Sequence, residues 1–381
     1  MSTSSQKRLA VGILARNEES NLAEAIASVS DFADQVFVTD TGSTDRTVTI
    51  AEEHGASVDS WPWRDDFGAA RNHQIELAQD YDWLLLLDAD ERLQSDQKSS
   101  LKKALSQKNC AGQSVLRRDL QDLDHLDSGT EMQMLRLVQP RSGLRFQGRC
   151  HPQLTSNKHR IVHSEVRLLH HGYLEEFLPA KTRRSLKLLR LELAERPGQL
   201  YYQIELYRTL ILLGDSEAKQ ALTIAADNLA SFRNNQTPPL EHAALLLEGL
   251  LQLSADQLPA PFTPAKVETL CKRWFPKAPP LLWLRARNAF IREHWQKAEE
   301  LLSTLISCGK SNSYDRYTSF DSAIMGQEAT LNLAACKIKL GQLEEATALL
   351  EPLKNDSKIG PVARKNLTLI TELQQQFSSQ N

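Results

Sequence analysis

The sequence predicts an α/β domain built on a mainly parallel sheet with a mixed extension, followed by an all-helical repeat domain. Three observations carry that expectation. Over roughly the first ninety residues, short apolar runs alternate with amphipathic ones, the pattern of βαβ units. From Lys181 onward nearly every segment has helical period. Two stretches of that helical half can also be laid on one another in register.

In chain order, Leu9 to Ala15 reads as a strand and Asn21 to Val29 as a helix. Gln35 to Asp40 is a second strand, Thr44 to His54 a helix ended by Gly55, and Ser57 to Trp61 a third strand stopped by Pro62. Phe67 to Ala78 has helical spacing. Trp83 to Leu87 is a continuous apolar run, as expected of a central strand covered on both faces, and it ends in Asp88-Ala89-Asp90-Glu91. After a charged helix near Asp96 to Gln107, the arginine-rich, alternating segments Ser114 to Leu120, Glu131 to Val138 and Arg145 to Leu154 look like further strands. Their turns fall at Ser128-Gly129 and Arg141-Ser142-Gly143. The domain boundary is placed at Tyr173 to Pro179, giving residues 1–178 and 179–381.

In the helical half, Trp283 to Ile306 aligns with Leu331 to Leu353 so that Trp295 falls on Leu343 and Ala298 on Ala346. Tyr201 to Leu229, with Leu213-Gly214-Asp215, matches more loosely. Helix–turn–helix units of this kind cannot bury their apolar faces alone, so a tetratricopeptide-like stack is expected, with a generic helical bundle as the alternative.

Composition narrows the function. A formal net charge of -3, with both signs interspersed, offers no basic stripe to a nucleic-acid backbone. The five cysteines are scattered, odd in number and lack the C-x-x-C spacing of a zinc site, which reads as reduced, buried thiols in a cytoplasmic protein. No apolar run reaches the length of a membrane span, and the N-terminal Met-Ser-Thr-Ser-Ser-Gln-Lys-Arg runs straight into a strand-like segment rather than a signal peptide's apolar core.

Ligands of open α/β sheets bind outside the carboxyl ends of the strands. Here the strand ends read Arg16-Asn17-Glu18-Glu19, Asp40-Thr41-Gly42-Ser43-Thr44-Asp45 and Asp88-Ala89-Asp90. Asp88 and Asp90 need not point the same way, so one carboxylate can bind a divalent ion while the other meets a ribose or a metal-bound water. Mg²⁺ and Mn²⁺ prefer oxygen ligands and take few carboxylates, filling the remaining positions with phosphates and water. A diphosphate leaving group requires that arrangement. Trp61 and Trp63 flank the third strand end, where they pack either in the core or against a base or sugar ring.

Four segments in order, Ala15-Arg16-Asn17-Glu18-Glu19, Thr39 to Thr47, Phe67-Gly68-Ala69-Ala70-Arg71-Asn72 and Leu87-Asp88-Ala89-Asp90-Glu91, resemble the family 2 glycosyltransferases of GT-A fold. The nearest resemblance is to the branch with appended tetratricopeptide-like helices. It implies an inverting transfer from a nucleotide-sugar, commonly a UDP-sugar, with Mn²⁺ or Mg²⁺. It also implies that Glu18 and Asp40 contact the nucleoside, that Arg71 lies beside the nucleotide, that Asp88 faces the ribose or a metal-bound water, and that Asp90 binds the metal. Leu169-His170-His171-Gly172-Tyr173 resembles a His-x-Gly-Tyr segment of this branch, which makes His170 a candidate metal or diphosphate ligand and His171 its solvent-side neighbour.

The general base departs from the pattern. Related sequences often read His-Glu-Gln-Leu where this chain reads His151-Pro152-Gln153-Leu154. The alternatives are His151 itself, a carboxylate such as Asp122, Asp124 or Asp127, an acidic acceptor thiol, or an impaired enzyme. Three functions remain open. The first is a glycosyltransferase whose helices present a protein, peptide or glycan acceptor. The second is a nucleotide-sugar sensor or scaffold in which the repeats bind the partner. The third is nucleotidyl transfer, disfavoured because Arg16-Asn17-Glu18-Glu19 lacks glycine.

Overall fold

The computed structural model describes residues 7–120, 130–155, 158–171, 178–315, 317 and 320–379. Asp122, Asp124, Asp127, the Ser128-Gly129 turn, Gly172 and Tyr173 lie outside them. By packing, the chain divides into two compact units, residues 1–197 and 198–381.

The first unit is built on strands β1 (Leu9–Ala15), β2 (Gln35–Asp40), β3 (Ser57–Ser60), β4 (Trp83–Asp88), β5 (Glu91–Leu93), β6 (Gly112–Asp119), β7 (Thr130–Val138), β8 (Phe146–Gln147), β9 (Gln153–Leu154) and β10 (Ile161–His170). Its helices are α1 (Leu22–Ser30), α2 (Thr47–Glu53), α3 (Phe67–Leu77), α4 (Lys98–Leu105) and α5 (Leu178–Glu195). Eight strands form one sheet in the order β3-β2-β1-β4-β7-β6-β10-β5, while β8 and β9 pair separately. The quartet β3-β2-β1-β4 is parallel; β7 runs antiparallel to β4 and β6, β10 parallel to β6, and β5 antiparallel to β10. This is the expected mainly parallel sheet with a mixed extension.

Successive side chains of β1 and β4 enter different cores. Leu9, Val11, Ile13, Trp83, Leu85 and Leu87 meet Leu22, Ile26 and Val29 of α1 on one face. Ala10, Leu84 and Leu86 meet Ile75 and Ala78 on the other. Burying both faces explains the unbroken apolar run of β4, each such leucine contributing about 1.5–3 kcal/mol.

Two elements depart from expectation. Helix α2 starts at Thr47 rather than Thr44, because the Thr44 amide donates to Asn17 Oδ1 and Asp45 accepts from the Thr47 amide. Residues 145–154 form a hairpin, β8–β9, rather than one strand: Gly148 has a φ of 118°, and the Gly148 and Arg149 carbonyls accept from the first amides of α3. Strands β5 and β10 were not anticipated.

The second unit contains α6 (Leu200–Leu212), α7 (Ala218–Ala230), α8 (Ala243–Gln252), α9 (Pro264–Trp274), α10 (Pro279–Ile291), α11 (Trp295–Ser311), α12 (Gln327–Lys339), α13 (Leu343–Leu350) and α14 (Gly360–Ser379). The sequence register holds, since Trp295 and Leu343 open α11 and α13, and Ala298 and Ala346 are buried at the helix contacts. The pairs α6–α7, α10–α11 and α12–α13 also share one turn. Gly214, Glu293 and Gly341 have positive φ, and the next amide (Asp215, His294, Gln342) donates 2.9 Å to the carbonyl of Leu210, Ala289 or Lys337. That repeated bond closes each first helix in the same way. All five cysteines are buried and free. No helix among the described residues is long and apolar enough to cross a membrane.

Candidate active site

Strand register assembles the site. Antiparallel pairing of β10 with β5 sets His170 opposite Glu91, and the His171 amide donates to the Asp90 carbonyl at 2.9 Å. Parallel pairing of β10 with β6 sets His170 beside Asp119. His170 Nδ1 therefore lies 2.8 Å from Asp119 Oδ1, and Nε2 lies 3.3 Å from Asp90 Oδ2.

Asp88 ends β4 between two guanidiniums. Arg71 of α3 donates to Oδ1, and Arg136 of β7 donates to Oδ2 at 2.7 Å. Arg136 also donates to Glu91 at 2.5 Å, while the Asp88 amide donates to the other Glu91 oxygen at 3.0 Å. Burial alone would raise the Asp88 carboxyl, but Arg136 and then Arg71 overcome it and hold Asp88 far below the usual carboxylate range. Fully enclosed Glu91 shares Arg136 with Asp88, and burial pushes it upward. Arg92 clips the turn from behind, donating to the Ala89 carbonyl at 2.8 Å and to the Asn21 carbonyl at 2.8 Å.

Among the described residues Asp90, the more buried carboxylate of the pair, meets His170 and Lys181 and no arginine. Burial raises it, but the hydrogen bond and charge of His170, and more weakly Lys181, bring it well below its ordinary value. Lys181 of α5 lies 2.9 Å from Asp90 Oδ2. Burial lowers His170, yet hydrogen bonds to Asp119 and Asp90 push it up to about 9. His171 is half-buried and lowered, by burial and then by Arg92.

The loops after β1 and β2 are knitted together. The Asn17 amide donates to Ser43 Oγ at 2.9 Å, the Glu18 amide to Thr47 Oγ1 at 2.7 Å, and the Arg46 amide to Glu19 at 3.0 Å. Asp40 is buried and accepts the Gly42 and Ser43 amides at 3.1 Å. Glu18 is raised by burial, with the Asn21 hydrogen bond opposing, Asp90 adding to the rise, and Lys181 and Arg184 lowering it. Glu18 thus lies within electrostatic reach of Asp90 and the start of α5.

The structure therefore brings Glu18, Arg71, Asp88, Asp90 and His170 to one end of the sheet, with Asp40 at the end of β2. Arg71 is buried and tied to Asp88 and Gln74, so it acts on its surroundings through Asp88. His151 is exposed in the β8–β9 turn with a φ of 47°, a backbone conformation held only where neighbours impose it. The supports are identifiable. Asn72 bonds both the amide and the carbonyl of Phe146 at 2.8 Å, and Glu192 of α5 accepts the Arg149 amide at 2.9 Å. A Cβ on Gly68 would lie 3.0 Å from the Gly148 carbonyl oxygen, so glycine permits that approach. Trp61 stacks on His73 at 4.1 Å, and Trp63 meets Phe67 edge-on and donates to Asp65 at 2.9 Å; both already have protein partners.

Sequence reasoning missed Arg117, Asp119, Arg136 and Lys181. A signal for Arg136 existed, since it is a lone arginine between apolar residues of a strand; Arg117, paired in sequence with Arg118, is likewise buried with a carboxylate partner.

The donor set suits a divalent cation. Two ligands at right angles around an ion about 2.0–2.2 Å from each stand about 3 Å apart, close to the 3.3 Å between Asp90 Oδ2 and His170 Nε2. Asp119 fixes the ring from its other nitrogen, the usual support of a ligating histidine. Among the described residues no three His, Cys, Asp or Glu side chains group to hold a metal ion.

Residues 10–154 match the family model for glycosyl transferase family 2. The chain thus carries a family 2 glycosyltransferase domain at its N-terminus. Among curated proteins it is 32% identical over 220 residues to a TPR repeat-containing protein of Synechococcus elongatus, covering 55% of this chain and 53% of that one. It is 29% identical over 255 residues to the SPbeta prophage-derived glycosyltransferase SunS of Bacillus subtilis, covering 63% and 58%. The chain spans between half and two thirds of the length of these relatives. Among solved structures, glucosyl-3-phosphoglycerate synthase from Mycobacterium tuberculosis, in complex with Mn²⁺, UDP and glucosyl-3-phosphoglycerate, matches at 19% identity and a TM-score of 0.32, covering 48% of this chain and 78% of that one.

Proposed function

We propose that the protein is an inverting, metal-dependent glycosyltransferase that moves a sugar from a nucleoside-diphosphate sugar, a UDP-sugar being favoured, to a protein, peptide or glycan acceptor. The observation that carries this reading is the convergence of Asp90 Oδ2 and His170 Nε2 at the end of a buried strand, beside an Asp88 already fixed by two arginines. Asp90 and His170 would hold Mn²⁺ or Mg²⁺, which when bound supplies Lewis-acid neutralisation of charge on the departing diphosphate. Asp88, ionised and unable to rotate, would accept from the ribose. Glu18 and Asp40 would flank the nucleoside. His151 would take the acceptor's proton, the glutamate expected one residue later being Pro152. The helical repeats would present the acceptor, and the reduced, buried thiols support a cytoplasmic setting.

The test is donor hydrolysis with a panel of nucleotide-sugars and Mn²⁺. Nucleoside diphosphate should be released, and release should vanish in Asp90→Ala. Tight nucleotide binding without turnover on any donor would instead favour the sensor, which Pro152 makes the second reading. Pyrophosphate release would point to nucleotidyl transfer.

A further inference from the structure

Lys181 occupies the first turn of α5, and its ammonium lies 2.9 Å from Asp90 Oδ2, the same oxygen that His170 Nε2 approaches. A divalent cation bonded to that oxygen and an ammonium hydrogen-bonded to it would be two positive charges within a few ångströms, and such charges repel strongly. Cation and ammonium therefore compete for Asp90. The lysine stem is long and its side chain is 42% exposed, against 15% for Asp90, so the ammonium lies on the solvent side of the carboxylate it contacts.

Its surroundings say where it goes. Arg184 lies one turn further along α5, with its guanidinium 5.4 Å from the centre of the Phe67 ring. The charges of both Lys181 and Arg184 reach Glu18. This face of α5 thus fronts the loops that end β1 and β4, where a donor diphosphate would lie. Helix α5 also has docking contacts farther along. Lys187 pairs with Asp65 at 2.7 Å, and Glu192 holds the Arg149 amide.

Resting on the donor site proposed above, we propose that Lys181 is a diphosphate-binding residue that guards Asp90. Without nucleotide it occupies the metal-binding oxygen; the arriving diphosphate draws it away, and cation and nucleotide bind cooperatively through this one side chain.

The test measures Mn²⁺ affinity from the free-ion EPR signal, alone and with saturating UDP, GDP or dTDP. It is run on the full chain and on Lys181→Met, Lys181→Gln and Lys181→Arg, with thermal melts to confirm folding. Removing the charge in the Met and Gln variants should tighten Mn²⁺ binding about tenfold without nucleotide. The same variants should weaken nucleotide binding to the Mn²⁺ form, so the mutual enhancement, of the order of 5- to 150-fold in allosteric pairs, should shrink. Lys181→Arg should retain it. Unchanged or weaker Mn²⁺ binding in both neutral variants would overturn the role of Lys181 and leave the donor site standing. Failure of the unmodified protein to bind Mn²⁺ or any of the nucleotides would overturn both.

Discussion

The imidazole proposed to ligate a metal through one nitrogen has its other nitrogen held, since His170 Nδ1 lies 2.8 Å from Asp119 Oδ1. Replacing Asp119 with Asn should therefore leave the fold intact yet weaken Mn²⁺ binding about 10- to 100-fold, as a metal titration would show. Asp90 was legible in the sequence because a polar pair interrupts an apolar strand. Asp119 was not, because nothing in the order of residues reveals that β10 will lie between β5 and β6 and bring positions 119 and 170 together. Burial raises every carboxylate, and it prevails where no cation is in contact. Glu248 of α8 is half-buried, with Oε1 shut from solvent and no hydrogen-bond partner to it among the described residues, and desolvation pushes it up to about 7. Its pKa is higher folded than unfolded, so the folded chain binds more protons between about pH 4.5 and 7, and stability falls across that window. Chemical denaturation at pH 5 and pH 8 should show the unmodified protein losing about 1–3 kcal/mol more than Glu248→Gln.

Most helices and the parallel strands followed from periodicity, and β2 begins and ends where expected. What escaped was set by pairing rather than by pattern. β5 is three residues long, immediately follows β4, and exists only because β10 lies alongside it. β10 is the exception: His163, Glu165 and Arg167 alternate with Val162, Val166 and Leu168, a period-2 signal that marks a strand. The β8–β9 hairpin was read as one strand because its turn depends on hydrogen bonds from α3, a long-range contact. The helical hairpins were legible for the opposite reason, since their turn is local and recurs. Gly214 and Gly341 fill the left-handed position of two turns, whereas the third uses Glu293 at a φ of 60°. A side chain there costs about 1–2 kcal/mol, offset partly by glycine's greater chain entropy. Glu293→Gly should consequently stabilise the helical unit by up to about 1 kcal/mol in urea denaturation.

At the scale of the molecule, a sheet that presents two carboxylates and an imidazole at its carboxyl end is joined in one chain to stacked helical hairpins. The motifs of the first ninety residues marked the β1, β2 and β4 loops, but part of what they specify is scaffolding. Gly68 and Asn72 hold the segment that leads to His151, and Arg71 holds Asp88. The other cations that balance the acidic cluster, Arg117, Arg136 and Lys181, come from β6, β7 and α5, beyond the motif-bearing stretch. One contact set is decisive for the proposed function, Asp90 and His170 together on a divalent ion. The most direct measurement is anomalous diffraction from crystals soaked with Mn²⁺ and UDP. It should show a single manganese peak bonded to Asp90 Oδ2, His170 Nε2 and diphosphate oxygens; a peak elsewhere, or nucleotide bound with no metal at Asp90, would contradict it.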